Sequence, residues 1–202
     1  MANNLSRQKS FEKIFKKLSL RYPTPLRVQG FIRKLKYNKN KTMLSALDSV
    51  LQNKAHCMEG AMVAAAILEL RGFPPLTVSF ESQDGLDHVI YVFKQNGKWG
   101  SIGQSRDEGL HGRKPVFRSI RDLAWSYFDP YIDGAGKITA YQLINLDETK
   151  TNWRFSNKNL WATENYYLEK KHIKMKSSKT RYLKFYHRFL KGIPLENQTY
   201  WW

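Results

Sequence analysis

Apolar residues recur through the first fifty positions with the 3.6-residue period of helices. Phe11, Ile14, Phe15 and Leu18, with Leu20 on an adjacent row, alternate with Lys13, Lys16 and Lys17, which predicts an amphipathic helix with a basic outer face over Ser6–Tyr22. Pro23-Thr24-Pro25 ends it. Thr24 can then cap a second helix that carries Pro25 at its first position and turns Val28, Phe31, Ile32 and Leu35 inward. Lys34 to Lys41 reads as a basic loop, either a solvated turn or a binding site. A third helix, Thr42 to Gln52, puts Leu44, Leu47, Val50 and Leu51 on its inner face. From Cys57 to Arg71 nearly every position is apolar with no polar stripe, the mark of a helix packed on most sides. Gly72 suits the left-handed position after its last turn, and Pro74 cannot continue it.

Beyond Pro75 the period falls to two. Leu76–Phe80 and Asp87–Phe93 alternate as strands, and Asn96-Gly97 is the strongest hairpin signal in the chain. A two-residue turn there pairs Gln95 with Lys98, and counting back sets Val92 opposite Ser101, Ile90 opposite Gly103 and His88 opposite Ser105. A helix over Ser119–Phe128, a loop through Asp129-Pro130 and Gly134-Ala135-Gly136, and a strand over Lys137–Leu146 follow. Tyr131, Trp125 and His111 either line a cleft or belong to the core. Trp153, Trp161, Tyr166, Tyr167 and Leu168 suggest a helix docked on the domain. After it, Lys170 to Lys191 interleaves cations with Tyr182, Phe185, Tyr186 and Phe189. Such a mixture suits either a solvated amphipathic helix or a grip on single-stranded nucleic acid, and no recognisable nucleic-acid module accompanies it.

The chemistry concentrates at the start of the apolar helix, where the only cysteine of the chain lies. Cys57 is either a small buried residue or a nucleophile, and the nucleophile must be the thiolate. Lowering a thiol from about 8.5 to about 6 takes roughly 3.4 kcal/mol, whereas a helix N-terminus supplies about 0.3–2 kcal/mol. A cation close in space, most naturally an imidazolium, has to provide the remainder. His88 opens a strand that must pack on something, and the cysteine helix is the nearest apolar element. Glu59 would oppose ionisation, but two residues along a helix turn it away from Cys57.

Composition narrows the setting. The 202 residues suffice for one domain with a substantial core, and a single cysteine excludes an internal disulfide. There is no secretory hydrophobic region and no apolar run long enough to span a bilayer, so a soluble, cytoplasmic protein without a membrane partner is expected. The formal charge of +17 favours an acidic partner, protein or nucleic acid, through the basic surface. The histidines and the lone cysteine show no ligand spacing, so no metal or other cofactor is expected.

Ala55-His56-Cys57-x-Glu59-Gly60-Ala61 and its alanine-rich helix, then Gly72-Phe-Pro-Pro-Leu76, Asp87-His88-Val89 and Gly97-Lys-Trp99-Gly-Ser-Ile102, form an ordered set. The set resembles the transglutaminase-like branch of the papain-like cysteine proteins, in particular its small bacterial members, and extends through Pro115–Leu123 and Ser126-Tyr-Phe128. The resemblance covers most of residues 24 to 145. It implies a cysteine nucleophile at a helix start, a histidine on the following sheet, and an acid or amide on the next strand that orients the ring. Cys57 and His88 match the first two positions. At the third, counting from Trp99, stands Gly103, which has no side chain. Ser105 opposite His88, or Gln104 if a bulge adds a residue, could orient the ring instead, while Asp87 is adjacent but points away. Gln52, or Asn53, could support an oxyanion site with the Cys57 N–H.

The expectation is therefore an α+β protein, with helices packed on an antiparallel sheet. Residues 1–150 would form the Cys–His domain and 151–202 a basic, aromatic helical extension packed on it. Its activity would be acyl transfer on a peptide or other amide through a thioester at Cys57. The alternative is a weak or inactive member of the fold that binds an acidic partner, because loss of an orienting carboxylate can cost about four orders of magnitude in turnover.

Overall fold

The computed structural model describes residues 2–133, 136–194 and 199–201. Small hydroxyl side chains begin four of the helices. Thr24 Oγ1 accepts from the Arg27 N–H, Ser45 Oγ from Asp48, Ser119 Oγ from Asp122 and Ser178 Oγ from Arg181, each satisfying one of the N–H groups that a helix start leaves unpaired. The helices are α1 (Ala2–Arg21), α2 (Pro25–Ile32), α3 (Ala46–Leu51), α4 (Cys57–Glu69), α5 (Ile120–Phe128), α6 (Trp161–Glu169) and α7 (Lys179–Leu190). The helix of apolar sequence, α4, is buried continuously from Met58 to Leu68.

The strands are β1 (Lys36–Tyr37) and β2 (Lys54–Ala55), a short parallel pair, and β3 (Leu76–Ser82), β4 (His88–Gln95), β5 (Lys98–Ile102), β6 (Arg113–Phe117), β7 (Ile138–Asn145) and β8 (Ile173–Lys174). The last six form one antiparallel sheet in the order β6-β5-β4-β3-β7-β8. Among the described residues the protein is thus a mixed α+β fold of seven α-helices around a six-stranded antiparallel sheet. Asn96 and Gly97 have φ of 50° and 73°, the two positive values that a tight primed hairpin turn demands, and Gln95 pairs with Lys98 and Val92 with Ser101 as their spacing predicts.

Both faces of the sheet are covered. Val89, Tyr91 and Phe93 of β4 pack under α4, which is flanked by α1, α2, α3 and α6; Ile90 and Val92 point the other way, into a second core with Val78, Phe80, Leu123 and Tyr127 that Tyr182 and Phe185 of α7 adjoin. Each fully buried large apolar side chain of these cores contributes about 1.5–3 kcal/mol. Gly60 lets α4 approach the segment after β5, since a Cβ there would come within 2.7 Å of Gln104 Cβ.

Several expected boundaries and faces differ. The third helix starts at Ala46 rather than Thr42, because Ser45 is extended and the N–H groups of Ala46 and Leu47, which a helix from Thr42 would bond to the carbonyls of Thr42 and Met43, go to those of Trp153 and Arg154. Leu51, expected inside, is 58% exposed. The basic loop contains β1. The β4–β5 ladder ends at Tyr91–Ile102, so the pairs Ile90–Gly103 and His88–Ser105 do not form: Gln29 takes both the N–H and the carbonyl of Gly103. The stretch after residue 150 enters the body of the protein. Trp153 is fully buried, Leu160 and Tyr167 join the α4 core, and β8 adds to the sheet edge. Of the loop expected around Gly134, residues 134 and 135 lie outside the described residues.

Candidate active site

Three pieces of chain meet at Cys57: the start of α4, the first residue of β4, and the segment between β5 and β6. Cys57 is half-buried at the first position of α4 and lies in the wall of two cavities. His88 is buried, with the parity of Ile90 and Val92, and its ring lies parallel to Phe80 at a centroid separation of 6.3 Å. Its Nε2 stands 2.9 Å from the Leu110 carbonyl oxygen. A carbonyl can only accept, so Nε2 carries hydrogen, and Nδ1 is the nitrogen left to face the sulfur.

The Leu110 carbonyl occupies the space toward which a side chain at position 103 would grow. A Cβ on Gly103 would lie 3.2 Å from that oxygen and 3.1 Å from Ile90 Cγ2. The segment is held by two buried side chains. Gln29 donates to the Gly103 carbonyl (3.0 Å) and accepts from the N–H groups of Gly103 (2.9 Å) and Gly112 (3.1 Å). Arg113, fully buried, donates to the carbonyls of His111 (2.7 Å) and Gly109 (2.6 Å), its guanidinium sandwiched between the rings of Tyr127 and Tyr200 at 3.9 and 4.0 Å. Gly112 is obligatory here, since a Cβ would come 2.2 Å from Gln29 Oε1. The ring of His88 is therefore oriented by a fixed backbone dipole.

A second imidazole also reaches the sulfur. His56 is the N-cap of α4, and its N–H donates to Glu59 Oε2 at 2.8 Å. Glu59 is wholly buried and its carboxylate also accepts from Leu44 N (2.7 Å) and Asn38 Nδ2 (3.0 and 2.9 Å). His56 Nε2 lies 3.2 Å from the Thr42 carbonyl and 3.5 Å from Glu59 Oε1, so it too keeps its hydrogen on Nε2. Burial pulls the His56 pKa down. The hydrogen bond and negative charge of Cys57, the Glu59 carboxylate and the Thr42 carbonyl outweigh it and raise the group. For Cys57 burial pushes up, and the hydrogen bonds and positive charges of His56 and His88 together hold the thiol well below its usual range. Tyr37 and Tyr131 border the same space, and burial, followed for Tyr131 by nearby aspartates and for both by the charge of Cys57, raises their phenols. They stay neutral and able to donate.

The remaining expected site residues lie elsewhere. Gln104 is buried but donates its amide to the Leu35 carbonyl at 2.8 Å, and Ser105 Oγ accepts from the Asp107 N–H, although Ser105 does border the His88 cavity. Neither orients the imidazole, which is taken by Leu110. Gln52 is exposed at the end of α3 and borders neither cavity at Cys57, so its position offers no oxyanion contact. Tyr131 borders the cleft; His111 is buried with Nδ1 3.2 Å from the Gly103 carbonyl, and Trp125 lines a different groove. His56 was legible only as part of a spacing: His56-x-x-Glu59 places a carboxylate three residues after an N-cap, the arrangement of a capping box.

Among the described residues no group of three His, Cys, Asp or Glu side chains could hold a metal ion, and no helix is long and apolar enough to cross a membrane. No protein-family model matches the chain, and no curated protein matches it.

Proposed function

We propose that the protein is a cysteine-dependent acyl-transfer enzyme, an amide hydrolase, peptidase or transglutaminase-type catalyst, built on the papain-like plan that its Cys57 and His88 segments resemble. The observation that carries this reading is the pair of imidazoles beside one half-buried thiol, each with its Nε2–H tied to a carbonyl. That arrangement does what a helix end alone cannot, because it adds imidazole partners, one of them beside the buried Glu59 carboxylate, to the dipole of α4.

In the proposed cycle the thiol proton passes to His88 Nδ1 and the thiolate attacks the acyl carbon. The imidazolium of His88 then protonates the leaving nitrogen, the C–N bond breaks, and a thioester remains on Cys57. His88 next takes a proton from water or an amine, which attacks the thioester and releases the thiolate. His56, supported by a carboxylate, stabilises the sulfur anion throughout. The Leu110 carbonyl fixes the tautomer and angle of His88 without adding a formal charge.

The rate of alkylation by iodoacetamide across pH tests this directly. Because a lowered pKa leaves thiolate present at lower pH, the midpoint should fall well below the ordinary thiol value. A midpoint near the ordinary thiol value of about 8.5 overturns the proposal.

A further inference from the structure

Two cavities meet at the sulfur, one dominated by aspartates and the other by apolar side chains. The first, of about 270 Å³, contains His88 and is bordered by Asp84, Asp87, Asp107 and Asp133 against Arg106 and Arg188. Acids outnumber bases there two to one, whereas in the whole chain Lys and Arg outnumber Asp and Glu 34 to 17. The second, of about 340 Å³, contains His56 and runs along α6; Met43, Met58, Val89, Trp161 and Leu168 form its apolar wall, with Lys41 and Glu164 also on its lining and Asp87 shared with the first cavity. Both volumes sit near the lower end of small-molecule sites, about 300–1,000 Å³.

Resting on the acyl-transfer reading, we infer that the substrate is an amide or ester with an apolar acyl chain and a cationic leaving group. The acyl chain lies in the α6 cavity, and the leaving group lies in the aspartate-lined cavity. The acyl carbon has to sit at Sγ, so its two substituents must run out along the two spaces that open there. The leaving nitrogen must face His88, its proton donor, which assigns it to the acidic cavity; once expelled it is an ammonium, the charge those aspartates favour. That leaves the apolar wall of α6 for the acyl chain, where each buried methylene is stabilised. In the covalent step the Sγ–C bond forms, the C–N or C–O bond breaks, and the departing atom carries away the proton from His88.

Straight-chain p-nitrophenyl esters from acetate to hexanoate, followed in single-turnover acylation with intact-protein mass as the record of the thioester, test the acyl half. The second-order rate should rise roughly fourfold per methylene. Leu168 is 64% exposed, so Leu168→Gln should leave the fold intact while flattening that slope. Butyrylthiocholine, compared with a neutral butyryl thioester of equal size, tests the other half. It should react at least about tenfold faster at low salt, and the preference should shrink in about 1 M salt, where screening is within about 3 Å. Acylation indifferent to chain length, or falling with it, overturns the acyl assignment, and equal rates for the two thioesters overturn the leaving-group assignment. Neither result touches the acyl-transfer reading. Absence of any adduct on Cys57 from every ester overturns that reading as well.

Discussion

The two imidazoles at Cys57 each point Nε2 at a backbone carbonyl but differ in what stands beside it. His56, on the Thr42 carbonyl, also has the carboxylate of Glu59 3.5 Å away, buried among three groups of N–H donors from Asn38, Leu44 and His56 itself. His88 leans on a neutral peptide carbonyl, locked by Gln29 and Arg113 through the chain around it. A carboxylate favours the charged ring, while a carbonyl orients a ring without committing it to one charge state. The contrast suggests a division of labour, with His56 as the standing counter-charge of the thiolate and His88 free to gain and lose a proton in each cycle. Among the described residues, the one buried carboxylate beside these rings stands next to His56, not behind the sheet histidine.

The sharpest way to break this division is to remove one ring at a time. His88→Ala should lower acylation by about 10²- to 10⁴-fold at every pH, the usual contribution of general acid–base catalysis, as single-turnover rates would show. A loss confined to low pH would instead make His88 a second counter-charge. Glu59→Gln should be the most destabilising change, by about 3 kcal/mol in urea unfolding, since an amide cannot accept from all the buried donors now satisfied by the carboxylate. It should also raise the alkylation midpoint of Cys57, because His56 loses the group that helps keep it charged.

His56→Gln should move that midpoint up by about one pH unit while the rate on the high-pH plateau changes little. The sign follows from the raised His56 and the lowered Cys57: removing the cation lets the thiol hold its proton to higher pH. A fall in the plateau comparable to that of His88→Ala would erase the distinction between the rings. The smallest effect is expected at Gly103. Gly103→Ala should cost about 1–2 kcal/mol and slow acylation modestly, because its Cβ presses on the carbonyl that orients His88. Gly103→Asp should not restore a faster enzyme, since the space for its carboxylate is filled; an acceleration would mean that the 103–113 segment yields.

How much of this could be read in advance depended on the range of the interaction. The left-handed turn at Gly72 that follows α4, the Asn96-Gly97 turn and the cap at Thr24 were legible because each is decided within about four residues by backbone conformation or one hydrogen bond. The approach of Cys57 and His88 could be anticipated from apolar patterning, because a fully apolar helix must cover a sheet. The support of His88 could not: a backbone carbonyl leaves no mark in a sequence, and counting along the strand pointed to Ser105 and Gln104.

By itself, then, the order of residues determined the main helices and the central strands, the Thr24 cap, the hairpin register and the presence of one thiol at a helix start. Only the tertiary structure decided that the ladder stops at Ile102, that Leu110 fills the place left by Gly103, that Glu59 anchors His56, and that α6 returns from beyond residue 150 to wall a second cavity at the sulfur. These are contacts between segments tens of residues apart. Their geometry is set by how the helices and sheet pack as a whole, and no local preference encodes it.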